Sequence, residues 1–216
     1  MGAFKRVGGE PPTVSETVLV PGARDVRATV DSPDADACVV ACPPHPQMGG
    51  TRTDRRLRAV ADALAPGVAC LRFDYGPWTE GHGEVTDCRN ALAWAREAYG
   101  DESGERVGLF GYSFGAGVAL VAAARESADG TCPAAVSVLA PPDRLNDLDA
   151  VGAVPDIACD LQVLYGERDT TVDSGPVVEA AHEHGAEVTA LPADHHFVGQ
   201  DRKVGEAAAA FLRDRL

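Results

Sequence analysis

Val107-Gly108-Leu109-Phe110-Gly111-Tyr112-Ser113-Phe114-Gly115-Ala116-Gly117-Val118-Ala119-Leu120 is the stretch on which the architecture turns. Residues 107–110 are a short apolar run of strand type, and residues 114–124 continue as a helix of small side chains. Between them lies a Gly-x-Ser-x-Gly string with Ser113 at its centre. A strand that passes into a helix through so short a turn sets the serine on a sharp bend, and the flanking glycines leave room for the two backbones to approach. The competing reading is an ordinary strand-to-helix turn in which Ser113 only caps the helix. The rest of the chain decides between the two.

On either side, short apolar runs alternate with longer amphipathic ones, the pattern of βαβ units and a mostly parallel sheet. Residues 16–20 and 27–30 read as an antiparallel opening hairpin about Pro21-Gly22, and residues 37–42 as a continuous apolar strand. Within residues 53–65, Leu57, Val60, Ala61 and Leu64 recur at helical spacing, and Pro66-Gly67 stops the helix. Residues 68–73 form the next strand, and Val85, Cys88, Leu92, Ala95 and Tyr99 mark one face of a helix that ends at Gly100. Strands follow at 134–140, 161–165 and 187–191, with helices at 176–184 and 204–213. The expectation is an α/β fold in a single domain over residues 1–216, with about eight mostly parallel strands flanked by helices. The segment 141–159 is broken by proline and aspartate and is too short for a cap domain, so any site beneath it should be open.

A serine hydroxyl is a weak nucleophile at neutral pH and needs a base, which in turn needs an orienting acid. Asp169 follows the strand at 161–165, and His195 follows the strand at 187–191. Both therefore fall outside the carboxyl ends of strands, where open α/β sheets gather their reactive groups. Taken singly, Asp169 could be a turn residue and His195 a loop residue. In the order Ser113, Asp169, His195 they form a nucleophile, acid and base set. His196 is the rival imidazole, and Glu167 and Asp173 are rivals to Asp169. An oxyanion needs two backbone donors, and the residue after the nucleophile, Phe114, supplies one. The second is assigned to Gln47 in the loop Cys42-Pro43-Pro44-His45-Pro46-Gln47-Met48-Gly49-Gly50, because proline carries no N–H. His45 is expected to brace that loop. Met48, Tyr75 and Trp78, with Phe114, are candidates for the wall of a substrate pocket.

Composition narrows the partners. The 216 residues carry a formal charge of −14, with Lys5 and Lys203 the only lysines. Such a surface repels nucleic acid and anionic membranes. Abundant acid with scarce lysine resembles proteins of salt-accumulating halophilic archaea, where molar salt shortens the Debye length to about 3 Å and screens the self-repulsion. No apolar run approaches the roughly 18–20 residues of a membrane span, and residues 1–12 lack the apolar core of a signal peptide. The expected location is the cytoplasm. Cys38, Cys42, Cys70, Cys88, Cys132 and Cys159 are scattered instead of arranged in CxxC pairs, and several sit inside apolar strand-like runs, where cysteine reads as a small buried hydrophobe. Cys38, Cys42 and His45 have no second ligand pair at zinc spacing, so no metal is expected. No Gly-x-Gly-x-x-Gly or phosphate loop accompanies the strand-to-helix turns, and no organic cofactor is implied.

The chain resembles a family of small α/β-hydrolases related to dienelactone hydrolases. The resemblance rests on Pro43-Pro44-His45-Pro46-Gln47-Met48-Gly49-Gly50, Gly111 to Gly115, Gly166 to Asp169, and Pro192-Ala193-Asp194-His195-His196-Phe197. It implies an α/β-hydrolase fold without a cap domain, and it favours His195 over His196. The implied activity is cleavage of a small-molecule ester or thioester, with amidase or peptidase chemistry, or a binding protein without turnover, as alternatives. The first histidine of the family's loop motif is Pro43 here, and a family segment Phe-Arg-Gly-x-Gly-x-Ser-x-Gly is replaced by Phe73-Asp74-Tyr75-Gly76-Pro77-Trp78-Thr79-Glu80-Gly81. Dienelactone hydrolases proper use a cysteine where this chain has Ser113. Substrate identity and association with further copies of the chain stay open.

Overall fold

The computed structural model describes residues 14–100 and 106–216. Residues 1–12, on which the expectation about a signal peptide rests, lie outside the described residues. In chain order the elements are β1 (Ser15–Val20), β2 (Val26–Asp31), β3 (Cys38–Cys42), α1 (Arg55–Leu64), β4 (Ala69–Phe73), α2 (His82–Tyr99), β5 (Val107–Tyr112) and α3 (Phe114–Ala128). They continue with β6 (Ala135–Leu139), β7 (Arg144–Leu145), β8 (Leu148–Asp149), α4 (Ala150–Ala153), β9 (Asp160–Gly166), α5 (Gly175–His184), β10 (Glu187–Leu191) and α6 (Asp201–Arg213).

Eight strands form one sheet in the order β1-β2-β4-β3-β5-β6-β9-β10. β2 pairs antiparallel with both β1 and β4, and every other pairing is parallel. The fold is that of the α/β-hydrolases. β3, β4, β5 and β6 are buried along their whole length, which explains why they read as continuous apolar runs: a parallel strand is covered on both faces. Side chains alternate between two cores. In β3, Val39 and Ala41 pack toward α1 and α6, while Cys38, Val40 and Cys42 pack toward α2 and α3. The spaced apolar face Leu57, Val60, Ala61 and Leu64 is the buried face of α1, and Asp54 caps its start by accepting the Arg56 N–H at 2.8 Å.

The strand order changes direction between β3 and β5. The chain leaves β3 toward β4 on one side, then returns past β3 to β5 on the other, so the loops after β3 and β5 splay apart and leave a crevice at the carboxyl ends. The antiparallel edge is tied down by a buried ion pair. Arg72 on β4 makes two bonds to Asp31 on β2, 2.6 Å from Nε to Oδ2 and 3.0 Å to Oδ1, and Ser15 donates to Asp31 at 2.7 Å.

The segment between β6 and β9 is ordered, as a two-strand hairpin (β7 and β8), the single turn α4 and a short 3-10 turn at Val154–Asp156. Its pieces are too short to show as periodicity in a sequence. It forms a wall of the crevice instead of a cap over it.

Candidate active site

Ser113 occupies the turn between β5 and α3 with φ 56° and ψ −121°, a backbone conformation unfavourable for a side-chain-bearing residue. Two features hold it there. The Ser113 N–H donates to Leu139 O on the neighbouring β6 at 2.8 Å, and its carbonyl accepts from Ala116 N at 2.8 Å as the first bond of α3. The glycines provide the space. A methyl on Gly111 would lie 2.2 Å from Gly115 O, and one on Gly115 would lie 2.3 Å from Cys42 O and 2.4 Å from Pro43 O. The Gly-x-Ser-x-Gly string is thus a steric requirement of seating this turn against the end of β3.

His195 and Asp169 reach the same point from the loops after β10 and β9. Ser113 Oγ lies 2.9 Å from His195 Nε2, and His195 Nδ1 lies 2.7 Å from Asp169 Oδ2. The carboxylate is fixed at both oxygens, because Oδ1 accepts the N–H groups of Thr171 at 2.8 Å and Val172 at 3.2 Å. The side chains of His195 and Asp169 are only 8% and 4% exposed, so water competes little for these bonds. The histidine loop is held from below: Tyr112 OH donates to His195 O at 2.9 Å, and Phe197 is wholly buried. Burial pushes the Tyr112 phenol up to about 12, so it remains a donor. The rivals are placed elsewhere. Glu167 is exposed, Asp173 accepts the Gly175 N–H at the start of α5, and the His196 ring stands beside His195 at the rim.

The loop after β3 corrects one expectation. Gln47 is exposed, is not part of the crevice wall, and donates its N–H to His45 Nδ1 at 3.3 Å. It is therefore not the second oxyanion donor. Met48 and Gly50 donate to His45 O and Gly49 donates to Pro46 O, while Pro43, Pro44 and Pro46 have no N–H. His45 lines the crevice, and its N–H has no acceptor among the described residues, which leaves it as the candidate donor of this loop. The His45 ring braces the loop as expected: it caps the turn Pro46–Met48 and lies 4.6 Å from the Trp78 ring and 4.9 Å from Phe114. Burial lowers its tendency to take a proton, and Glu84 opposes that effect.

Two of the four wall candidates, Met48 and Phe114, line the crevice, and the other two do not. Met48 is 83% exposed and lines the mouth of the crevice. Tyr75 and Trp78 do not line it. Tyr75 donates to Pro43 O at 3.1 Å and meets Phe114 edge-on, and Trp78 packs on Phe114 at 5.5 Å, so both support the loop from behind. The crevice, about 520 Å³, is walled by Ser113, Phe114, Leu145, Val172, Arg56 and Arg144, among others.

A brace that was not anticipated holds this support. Glu84, fully buried in the first turn of α2, accepts the N–H groups of Thr79 at 3.1 Å and Gly81 at 2.8 Å. Asp87 accepts the Gly76 N–H at 2.9 Å, and Arg24 approaches both carboxylates, at 3.5 and 3.2 Å. The residues between 76 and 81, Trp78 included, are thereby clamped to α2. Acidic residues early in a helix pass in a sequence for ordinary dipole partners, so the clamp gave no separate signal.

The model of the dienelactone hydrolase family matches residues 76–214. This chain belongs to the dienelactone hydrolase family. As a member, it is a hydrolase of α/β fold, and the expectation drawn from the motifs holds at that level. Solved structures with the same fold include an alpha-beta serine hydrolase homologue from Coxiella burnetii, with 23% identity and TM-score 0.75 over 91% of this chain and 97% of that one. An esterase from Pyrococcus furiosus shares 18% identity with TM-score 0.77 over 99% of both chains. Est1E from Butyrivibrio proteoclasticus shares 17% identity with TM-score 0.74 over 92% of this chain and 98% of that one. The comparison with curated proteins found no match. Among the described residues of this family member, no group of three or more His, Cys, Asp or Glu side chains could hold a metal ion, and no helix is long and apolar enough to cross a membrane.

Proposed function

We propose that this chain is a serine hydrolase that cleaves small-molecule esters or thioesters through an acyl-enzyme intermediate. The observation that carries the reading is the continuous hydrogen-bonded line Ser113 Oγ, His195 Nε2, His195 Nδ1, Asp169 Oδ2, with Ser113 on a strained turn at the floor of a crevice. His195 takes the Ser113 proton as Oγ attacks the carbonyl carbon. Asp169 fixes the tautomer that leaves Nε2 free to accept, and it stabilises the imidazolium that forms. The negative charge that develops on the carbonyl oxygen is met by the N–H groups of Phe114 and His45, the latter replacing Gln47 in this role. His195 then gives the proton to the leaving alkoxide or thiolate. Water, deprotonated by the same imidazole, releases the acid and restores Ser113.

The size of the crevice and its largely apolar wall suit a small acyl group. The Pyrococcus furiosus protein of the same fold is an esterase, which agrees with this preference. An amidase or peptidase would use the same residues, and a protein without turnover would keep the fold while losing the chemistry. We further propose that the protein works in the cytoplasm of a salt-accumulating cell. The net charge of −14, the two lysines and the six unpaired cysteines favour that setting over an oxidising one. Nucleic acid and membrane partners are disfavoured by the same charge, no cofactor enters the proposed reaction, and self-association is not required by it.

A direct test is hydrolysis of p-nitrophenyl esters, a thioester and matched anilides by the purified protein in molar KCl, with Ser113→Ala alongside. Ester or thioester turnover that disappears in the variant supports the reading. Turnover of the anilides alone selects the amidase alternative, and no turnover of any of them by folded protein selects the binding alternative.

A further inference from the structure

Of six cysteines, four form two spatial pairs that nothing in their spacing announces. Cys42 and Cys88 lie with sulfurs 3.4 Å apart in the core between β3 and α2, both fully buried. The hydrogen bond to Cys42 and burial push the Cys88 thiol well up, and both side chains are shielded from solvent. The second pair differs in every respect that governs thiol chemistry. Cys132 follows the end of α3 and Cys159 immediately precedes β9, at the opposite end of the sheet from Ser113, and both are partly exposed. The pairing of β6 with β9, Ala135 opposite Asp160, brings the two cysteines together, and Ser127 bridges them by accepting from Ala158 N, next to Cys159, at 3.0 Å and lying 3.1 Å from the Cys132 sulfur.

The Cys132 sulfur has a donor beside it: Ser127 Oγ donates to it at 3.1 Å. Ser127 itself is oriented, with Ala123 O 2.8 Å away as the alternative acceptor of its proton and Ala158 N donating to its oxygen at 3.0 Å. A charged sulfur is the stronger acceptor, so ionisation draws the Ser127 hydroxyl from Ala123 to Cys132. Donation by Cys159, then by Ser127 and the backbone, outweighs burial and pulls Cys132 down to about 6, while Cys159 is driven far up by the same hydrogen bond. The charged groups around the pair are Asp160, bridged to Arg215, beside Cys159, and Glu126 with Arg89 and Arg96 across Thr131. Hydrogen bonding, not any of these three arginines, is what favours the thiolate.

We propose that Cys132 and Cys159 are a peroxide-sensitive dithiol, with Cys132 the attacking thiolate and Cys159 the resolving thiol, separate from the Ser113 site. In the first step the Cys132 thiolate attacks one oxygen of a hydroperoxide. The O–O bond breaks, an S–O bond forms, and the departing hydroxide or alkoxide takes a proton from solvent, leaving Cys132 as a sulfenic acid. In the second step the Cys159 sulfur attacks the Cys132 sulfur, the S–O bond breaks, and the released hydroxide combines with the Cys159 proton as water. The sulfurs together lose two electrons and the peroxide gains two, which leaves a disulfide joining the end of α3 to the start of β9.

The test is residue-resolved mass spectrometry of the whole protein after timed iodoacetamide alkylation between pH 5 and 10, and after hydrogen peroxide treatment. The Cys132 rate should be nearly flat from pH 7 to pH 9, whereas an ordinary thiol with pKa about 8.5 gains about 25-fold in thiolate over that range. Peroxide should link Cys132 to Cys159 in the wild type. In Cys159→Ser, dimedone should trap a sulfenic acid on Cys132, and in Cys132→Ser, Cys159 should stay unmodified. Ser127→Ala should shift the Cys132 profile to higher pH, a readout that a packing role alone does not move. All three variants should label at Ser113 with a fluorophosphonate like the wild type, which verifies that they are folded. A 25-fold rise for Cys132, or peroxide-treated folded protein without the Cys132–Cys159 link, overturns the proposal and leaves the reading of Ser113 untouched.

Discussion

Replacing Gly115 by alanine probes the steric logic of the site without touching a reacting atom. The added methyl would lie 2.3 Å from Cys42 O and 2.4 Å from Pro43 O. Both are main-chain atoms at the end of β3, so neither can rotate aside as a side chain would. Reaching ordinary contact, about 3.5 Å, requires the turn at Ser113 and the loop that carries His45 to separate by about 1 Å. A displacement of that size between reacting groups costs about 100-fold in rate, and overpacking of this kind costs about 1–3 kcal/mol of stability. At this chain length that corresponds to roughly 2–12 °C in melting midpoint. The expected result for Gly115→Ala is a folded protein with kcat for a p-nitrophenyl ester down about 100-fold. Gly67→Ala is the control, because its methyl would meet nothing within 4 Å, and it should behave like the wild type. A folded Gly115→Ala protein with kcat within about threefold of wild type would refute the steric argument, since about threefold is worth well under 1 kcal/mol.

Three other perturbations address separate parts of the account. Asp169→Asn removes the charge that orients His195, and kcat should fall by about 10³ to 10⁴ with little change in KM. Retention of a tenth or more of the activity in a steady-state ester assay would assign the orienting role elsewhere. Arg72→Met leaves the buried Asp31 carboxylate with Ser15 as its remaining side-chain donor, and urea denaturation should show a loss of about 3–5 kcal/mol, much of it recovered when Asp31→Leu is added. His45 is held toward its neutral form by burial, so the unfolded chain takes up its proton more readily than the folded one. That contribution to stability is present above the unfolded pKa of about 6.5 and is lost as pH falls below it. Melting midpoints measured from pH 7 down to pH 5 should therefore fall more steeply for the wild type than for His45→Gln.

Much of this fold is legible because its signals are local. Residues 107–124 show a strand, a bend and a helix in one stretch, and burial on both faces makes β3, β4, β5 and β6 read as unbroken apolar runs. Asp169 and His195 are legible for a related reason: each directly follows a strand, and parallel strands bring their carboxyl ends to one edge. What failed to show depends on direction or on distance through space. Gln47 looked like a donor because it follows three prolines, but the turn Pro46–Met48 aims its N–H at His45 Nδ1. Tyr75 and Trp78 stand in the right segment and face the back of the loop instead of the crevice. The hairpin of β7 and β8 has strands of two residues each, too short for any alternation to register. Cys132 and Cys159 meet only because β6 and β9 are neighbours in the sheet, a pairing that no spacing rule encodes.

The central claim is that Ser113 is an activated nucleophile. Fluorophosphonate labelling of the pure protein in molar KCl, with the modified residue located by mass spectrometry and Ser113→Ala run in parallel, tests it most directly. The account predicts stoichiometric adduct on Ser113 in the wild type and none in the variant. Absence of label on wild-type protein shown to be folded, or adduct on a serine other than Ser113, would contradict it.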